Sequence, residues 1–147
     1  MKNLINPLLF TEAGWGALIL RVPVGLILAA HGAQKLFGWF GGYGLEATGQ
    51  WMASIGLVPG VLMALLAGAA EFFGGLALAL GLLTRPAAAV NAIAMAVAVF
   101  VVHLPNGLFM SNNGYEYALT LLAASLALMF LGGGKLSVDS QLAPNRA

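Results

Sequence analysis

Charged positions divide this chain into long apolar stretches. No Asp, Glu, Lys or Arg occurs from residue 47 to 70, from 86 to 115, or from 117 to 134, and a helix needs roughly 20 apolar residues to cross a hydrocarbon core. The pattern predicts four membrane-spanning helices, at Trp15 to Phe37, Val58 to Leu83, Pro86 to Leu104 and Tyr115 to Leu131. Turn residues mark similar boundaries. Pro59 and Pro86 fall in the first turns of spans two and three, where a missing N–H costs nothing, and Thr84 is placed to cap the third. Pro105-Asn106-Gly107 and Gly132-Gly133-Gly134 end spans three and four. Pro23 lies inside span one and predicts a kink or a later start.

The longest connection, Gly38 to Leu57, carries Trp39, Phe40, Tyr43 and Trp51, side chains that anchor at headgroup level. Within it, Leu45 to Ile55 predicts a short interfacial helix with Trp51 and Met52 toward lipid or toward the mouth of the bundle. The other connections are short, so neighbouring spans run in opposite directions. The expected fold is all-α: one membrane domain over residues 1–147, an integral membrane antiparallel four-helix bundle with an interfacial outer loop between spans one and two.

Composition agrees and narrows the function. Apolar residues make up 61% of the chain and charged residues 7%, against about 25% charged in soluble proteins. Six Lys and Arg against five Asp and Glu give a net charge of +1 with no basic cluster, which excludes nucleic acid as a partner. With no Cys there is no thiol nucleophile and no Cys-held zinc or iron–sulfur site, so redox chemistry here needs a borrowed cofactor. No phosphate-binding glycine loop is present. Lys2, Arg85, Lys135 and Arg146 fall on the side shared by both termini and only Lys35 on the other, which predicts a multi-pass protein with both termini in the cytoplasm. The leader has no compact basic segment leading directly into an apolar run, and Arg21 interrupts the span; both count against a cleaved signal peptide.

Small residues predict how the spans associate. Ala64, Gly68, Gly75 and Ala79 recur with Glu71 along one face of span two, and Ala88, Ala92 and Ala96 slim span three, so backbones can approach closely. Glu71, near the middle of span two, must be paired, protonated or functional, because a charge there costs at least about 2.5–3.5 kcal/mol. From the cytoplasmic face Arg21 lies roughly 10 Å deep and Glu71 roughly 16 Å, which makes Arg21 the expected partner of Glu71, either as a helix-locking ion pair or with Glu71 free to handle protons. Arg21, His31 and Lys35 fall within an arc of about 80° on span one. Lys35 is expected to snorkel to the outer interface, whereas His31 lies deeper and needs partners for its ring nitrogens. His103, Asn112, Asn113 and Glu116 cluster near the outer surface, with Glu116 favoured at a helix N-terminus. His31 and His103 are candidate transition-metal ligands by residue type alone; their spacing matches no motif, and no metal is expected.

The chain resembles the DoxX family of small four-helix bacterial membrane proteins. The likeness is carried by Arg21 with Val24-Gly25, by the run from His31 to Gly38, by Phe40-Gly41-Gly42-Tyr43-Gly44 and by Gly56-Leu57-Val58-Pro59. It continues through Glu71-Phe72-Phe73-Gly74-Gly75, Gly81-Leu82-Leu83-Thr84-Arg85, the run from Asn113 to Ala118 and the run from Gly132 to Asp139. The resemblance implies a bacterial cytoplasmic (inner) membrane, and links to quinone and sulfur redox metabolism through a subunit of thiosulfate:quinone oxidoreductase and to membrane complexes that resist oxidative stress. It leaves open whether the chain is itself an enzyme. Arg21, His31, Lys35, Glu71 and Glu116 are its marker residues and the candidate ligand-binding set, with Glu71, His31 and Glu116 as candidates for catalysis.

Three functions follow. In the first, a subunit binds a quinone between spans one and two, His31 and Lys35 hydrogen-bonding its oxygen while Glu71 or Glu116 moves the proton; electrons then come from a partner redox enzyme. In the second, the protein is a non-catalytic anchor or assembly factor for such an enzyme, with the tail Ser137 to Ala147 as a handle. In the third, it transports protons or a small solute as a homo-oligomer, since four short helices and no internal repeat give little room for alternating access.

Overall fold

A computed structural model describes residues 6–143 of the chain. Lys2 and Arg146, which enter the charge bias, and the last four residues of the tail lie outside the described residues. The helices are α1 (Asn6–Leu9), α2 (Trp15–Phe37), α3 (Gly44–Ser54), α4 (Gly60–Leu80), α5 (Thr84–Val97), α6 (Glu116–Leu131) and α7 (Val138–Leu142), joined by short 3₁₀ turns. No strand occurs among the described residues. Three helices are long and apolar enough to cross a membrane: α2, α4 and the continuous helical stretch Thr84–Asn106. The fourth expected span is represented by α6, which is apolar but shorter.

Glycine punctuation sets the ends of the two long helices. Gly38 after α2 and Gly81 after α4 adopt left-handed conformations, φ 70° and 67°, which stop a helix at little steric cost only when the residue is Gly. Pro23 sits inside α2 without displacing its start from Trp15. Beyond Val97 the third apolar helix widens into a π-helical segment, Ala98–His103, a local loosening that apolar patterning does not register.

The seam between α2 and α4 is built on backbone contact. A Cβ on Gly25 would lie 2.5 Å from the Gly75 carbonyl oxygen, and one on Gly32 would strike the backbone of Phe72 and lie 2.7 Å from the Gly68 carbonyl. The small-residue stripe thus packs as expected. At these contacts the two backbones leave no room for a ligand within the seam itself. The apolar core lies beside this seam, where Leu28, Leu78, Ala88, Met95, Leu121 and Leu128 are buried together.

Arg21 corrects an expectation. Its guanidinium does not reach Glu71. It donates to the carbonyls of Gly133 at 2.8 Å, Leu136 at 2.9 Å, Leu78 at 3.3 Å and Ala79. The last carbonyls of α4 lack partners within the helix and carry the negative end of its dipole, so a planar five-donor fork is well matched to them. Nearby, Asp139 rather than Thr84 caps α5: its carboxylate accepts from Leu83 N at 2.7 Å and Thr84 N at 2.8 Å, holding Leu83 in a left-handed conformation, φ 46°. Ser137 and Asp139 are fully buried, so the start of the polar tail is folded into the bundle and is not a free handle.

Candidate functional site

A cavity of about 630 Å³ opens beside the α2–α4 seam, with walls from α2, α3, α4, α5 and α6. That volume lies within the usual range for small-molecule sites, roughly 300–1,000 Å³. Most of the lining is Leu, Met, Val and Ala, into which a few polar side chains are set: His31, Lys35, Glu71, His103, Asn113 and Tyr117.

Each arrives by a local structural cause. His31 and Lys35 are one turn apart on α2 and so share a face. Glu71 lies on the glycine-lined face of α4, and close approach of the helices brings its Oε2 to 2.5 Å from Lys35 Nζ. The Glu71 side chain is 4% exposed and that of Lys35 24%. Lys35 is therefore the counter-ion of the buried carboxylate and does not snorkel away, because pairing removes the cost of leaving Glu71 alone. Tyr117, in the first turn of α6, presents its hydroxyl 3.5 Å from His31 Nε2, with ring centroids 5.8 Å apart. A contact this long is at the limit of a hydrogen bond, so both groups keep capacity for a ligand oxygen.

The opposite part of the lining comes from the π-helical segment. His103 Nδ1–H donates to the Asn113 carbonyl at 2.9 Å, which in the neutral ring leaves Nε2 as an acceptor. Trp51 and Met52 of α3 also line the cavity, Met52 buried and Trp51 exposed, so the helix in the long connection covers the mouth of the bundle. Gly49 allows this, since a Cβ there would lie 2.7 Å from Val61 Cα at the start of α4.

The cavity thus gathers three of the five expected ligand-binding residues, His31, Lys35 and Glu71, together with His103. Arg21 and Glu116 are not in its lining. Glu116 Oε1 accepts from Met110 N at 2.7 Å, and Glu116 N donates to the Leu108 carbonyl, so it closes the loop that precedes α6. His31 and His103 line one cavity, but no group of three His, Asp or Glu side chains able to hold a metal occurs among the described residues. Tyr117 is the residue that sequence reasoning passed over. It stands between Glu116 and Ala118 in the first turn of α6, and the signal that could have found it is that a phenol entering an apolar bundle needs a hydroxyl partner.

The family model DoxX matches residues 16–104, from α2 to the end of the π-helical segment. The chain belongs to the DoxX family. The match takes in His31, Lys35, Glu71 and His103, whereas Tyr117 lies beyond it. The chain is 36% identical to the "Putative oxidoreductase CatD" of Bacillus subtilis (strain 168), over 77% of this chain and 78% of that protein. It is 34% identical to a protein of Haemophilus influenzae, over 83% and 87% of the two chains. It is also 31% identical to "Inner membrane protein YqjF" of Escherichia coli (strain K12), over 97% and 89%. No solved structure matches. This DoxX chain is therefore a membrane protein with apolar spanning helices and a polar cluster enclosed among them.

Proposed function

We propose that this DoxX protein is a redox-associated subunit of the bacterial inner membrane that binds a quinone-class ligand in the cavity beside the α2–α4 seam. The supporting observation is the coincidence of an apolar volume of about 630 Å³ with His31, Tyr117 and the Lys35–Glu71 pair on its wall. A quinone when bound supplies two-electron, two-proton chemistry. The chain supplies the rest. Tyr117 O–H and an N–H of His31 donate to a ring oxygen, the apolar walls hold the ring flat and dry, and the Lys35 ammonium stabilises negative charge that develops there. Glu71, held by Lys35, is the group placed to give or take a proton. Electrons must come from a partner redox subunit, since no residue of the chain carries them. The names of the Bacillus subtilis and Escherichia coli relatives agree with an oxidoreductase context and an inner-membrane location, respectively.

In this reading the chain is one membrane domain, an antiparallel bundle in which α6, about 24 Å long at 1.5 Å per residue, completes the fourth crossing. Both termini face the cytoplasm, with Arg85 and Lys135 on that side. The mainly apolar lining favours a lipophilic ligand over a transported ion or polar solute. The test is to purify the protein in mild detergent and analyse its organic extract by absorbance and mass spectrometry. A near-stoichiometric quinone that disappears in folded Glu71→Gln and His31→Leu variants is expected. An extract that holds only bulk lipid would overturn the reading and favour an anchoring role.

A further inference from the structure

The cavity is not closed on its lipid side. Its lining includes Leu66 of α4 and Ile93 of α5, yet these side chains are 56% and 66% exposed. They border the cavity and the outer surface at once, so the space between α4 and α5 opens outward. The opening has two definite edges. On α4, Leu66 and Ala70 stand one turn apart, and on α5, Val90, Ile93 and Val97 recur at the spacing of one helix face. Toward the α4–α5 turn the opening is shut, because Asn91 fits under Gly74, where a Cβ would lie 2.5 Å from Asn91 Nδ2. Away from that contact, small residues on both edges, Ala67, Ala70 and Ala94, keep the slot clear. The surface around it is apolar and exposed, with Leu62, Leu65 and Phe73 on α4 and Phe100 beyond α5. On helices of membrane-spanning length such a surface faces hydrocarbon, where there is no drive to cover it with protein.

We infer that the slot between α4 and α5 is a lateral portal: the apolar tail of a membrane-dissolved ligand runs through it into the bilayer while the ligand's uncharged ring head rests among His31, Tyr117 and Glu71. The inference rests on the reading above and adds to it the ligand's shape and its route of entry. A tailed neutral head fits better than a phospholipid. A phosphate among these groups would stand beside the Glu71 carboxylate, whose ammonium partner, Lys35, is already paired. A ring carbonyl carries no such cost and matches the donors present.

Two benzoquinone probes with the same head test this, one with a ten-carbon alkyl tail and one with none, titrated against the purified protein. Filling the slot by Ala94→Trp, or by Ile93→Trp at its exposed edge should the first variant fail to fold, is expected to weaken the tailed probe about tenfold or more, through loss of buried methylenes. The tailless probe should change less than about twofold. In the wild type, a photoreactive group at the end of the tail should label α4 near Leu66 to Ala70 and α5 near Val90 to Val97. Equal weakening of both probes, no weakening of either, or labelling confined to other helices would overturn the portal while leaving the binding site standing. Failure of the wild type to bind either probe would overturn the site and the portal together.

Discussion

Removing Lys35 should damage the protein more than neutralising Glu71, although the two side chains form one ion pair. Lys35→Met deletes the ammonium 2.5 Å from Glu71 Oε2 and leaves a carboxylate that is 4% exposed with no counter-charge. In Glu71→Gln the surviving ammonium sits on a side chain 24% exposed, and its long stem lets it turn toward water or the cavity. Breaking a buried pair from one side costs about 3–5 kcal/mol when the remaining charge is trapped. We expect about 3 kcal/mol for Lys35→Met and about 1.5 kcal/mol for Glu71→Gln, whose charge is released. The double variant has neither charge to bury and should cost about 1.5 kcal/mol, so the two sites are coupled by about 3 kcal/mol. At roughly 2–4 °C per kcal/mol for a chain of this size, Lys35→Met should lower the unfolding temperature by about 6–12 °C and the other two variants by about 3–6 °C. Thermal unfolding in one mild detergent, followed by loss of helical circular dichroism, reads all four proteins. Equal losses in the single variants that add in the double would refute the pairing.

Other substitutions test the frame around the site. Arg21→Lys should cost about 3 kcal/mol and reduce monodisperse protein in size-exclusion profiles, because one ammonium cannot serve carbonyls on both α4 and the 133–136 loop; near-wild-type yield and unfolding temperature would contradict the fork. Gly32→Ala should cost about 2–3 kcal/mol by pressing a methyl onto the backbone of α4, whereas Gly16→Ala on the same helix, with nothing within 4 Å of the new Cβ, should be neutral or stabilising by up to about 1 kcal/mol. Paired unfolding temperatures decide. Ser125 is fully buried and its hydroxyl has no hydrogen-bond partner among the described residues, so Ser125→Ala should leave the unfolding temperature unchanged or raise it by a few degrees, about 1 kcal/mol in free energy; a clear drop would mean that the hydroxyl is satisfied in the membrane.

Much of the helical frame was legible because it is written in residues whose effect is local. Uncharged stretches located the apolar helices and the stripe from Gly68 to Ala79 marked the close seam, whereas the second helix, expected to reach Leu83, stops at Leu80 where Gly81 turns left-handed. A helix carrying Trp51 and Met52 was legible in the long connection, but whether it faces lipid or the bundle mouth was not; the cavity lining selects the mouth. Pairing of the buried charges was not legible. Depth measured along separate helices put Arg21 within reach of Glu71, but Gly25 packs against Gly75 and Ala79, which sets Arg21 level with the end of α4. There its acceptors are backbone carbonyls, which every sequence contains and none advertises. The same holds for Asp139, which caps a helix that begins 55 residues earlier. The π-helical segment that turns His103 toward the cavity leaves the apolar pattern unchanged, and Tyr117 acquires meaning only once α6 is set beside His31.

The most direct test of the central claim uses Trp51, which lines the cavity. With Trp15 and Trp39 replaced by Phe, its fluorescence alone reports on that space. Titration with the tailed benzoquinone should quench it saturably, with an affinity that falls when His31 or Tyr117 is replaced by Leu. Quenching that rises linearly without saturation and is indifferent to those substitutions would mean that the quinone only partitions into the detergent, and that this cavity is not its site.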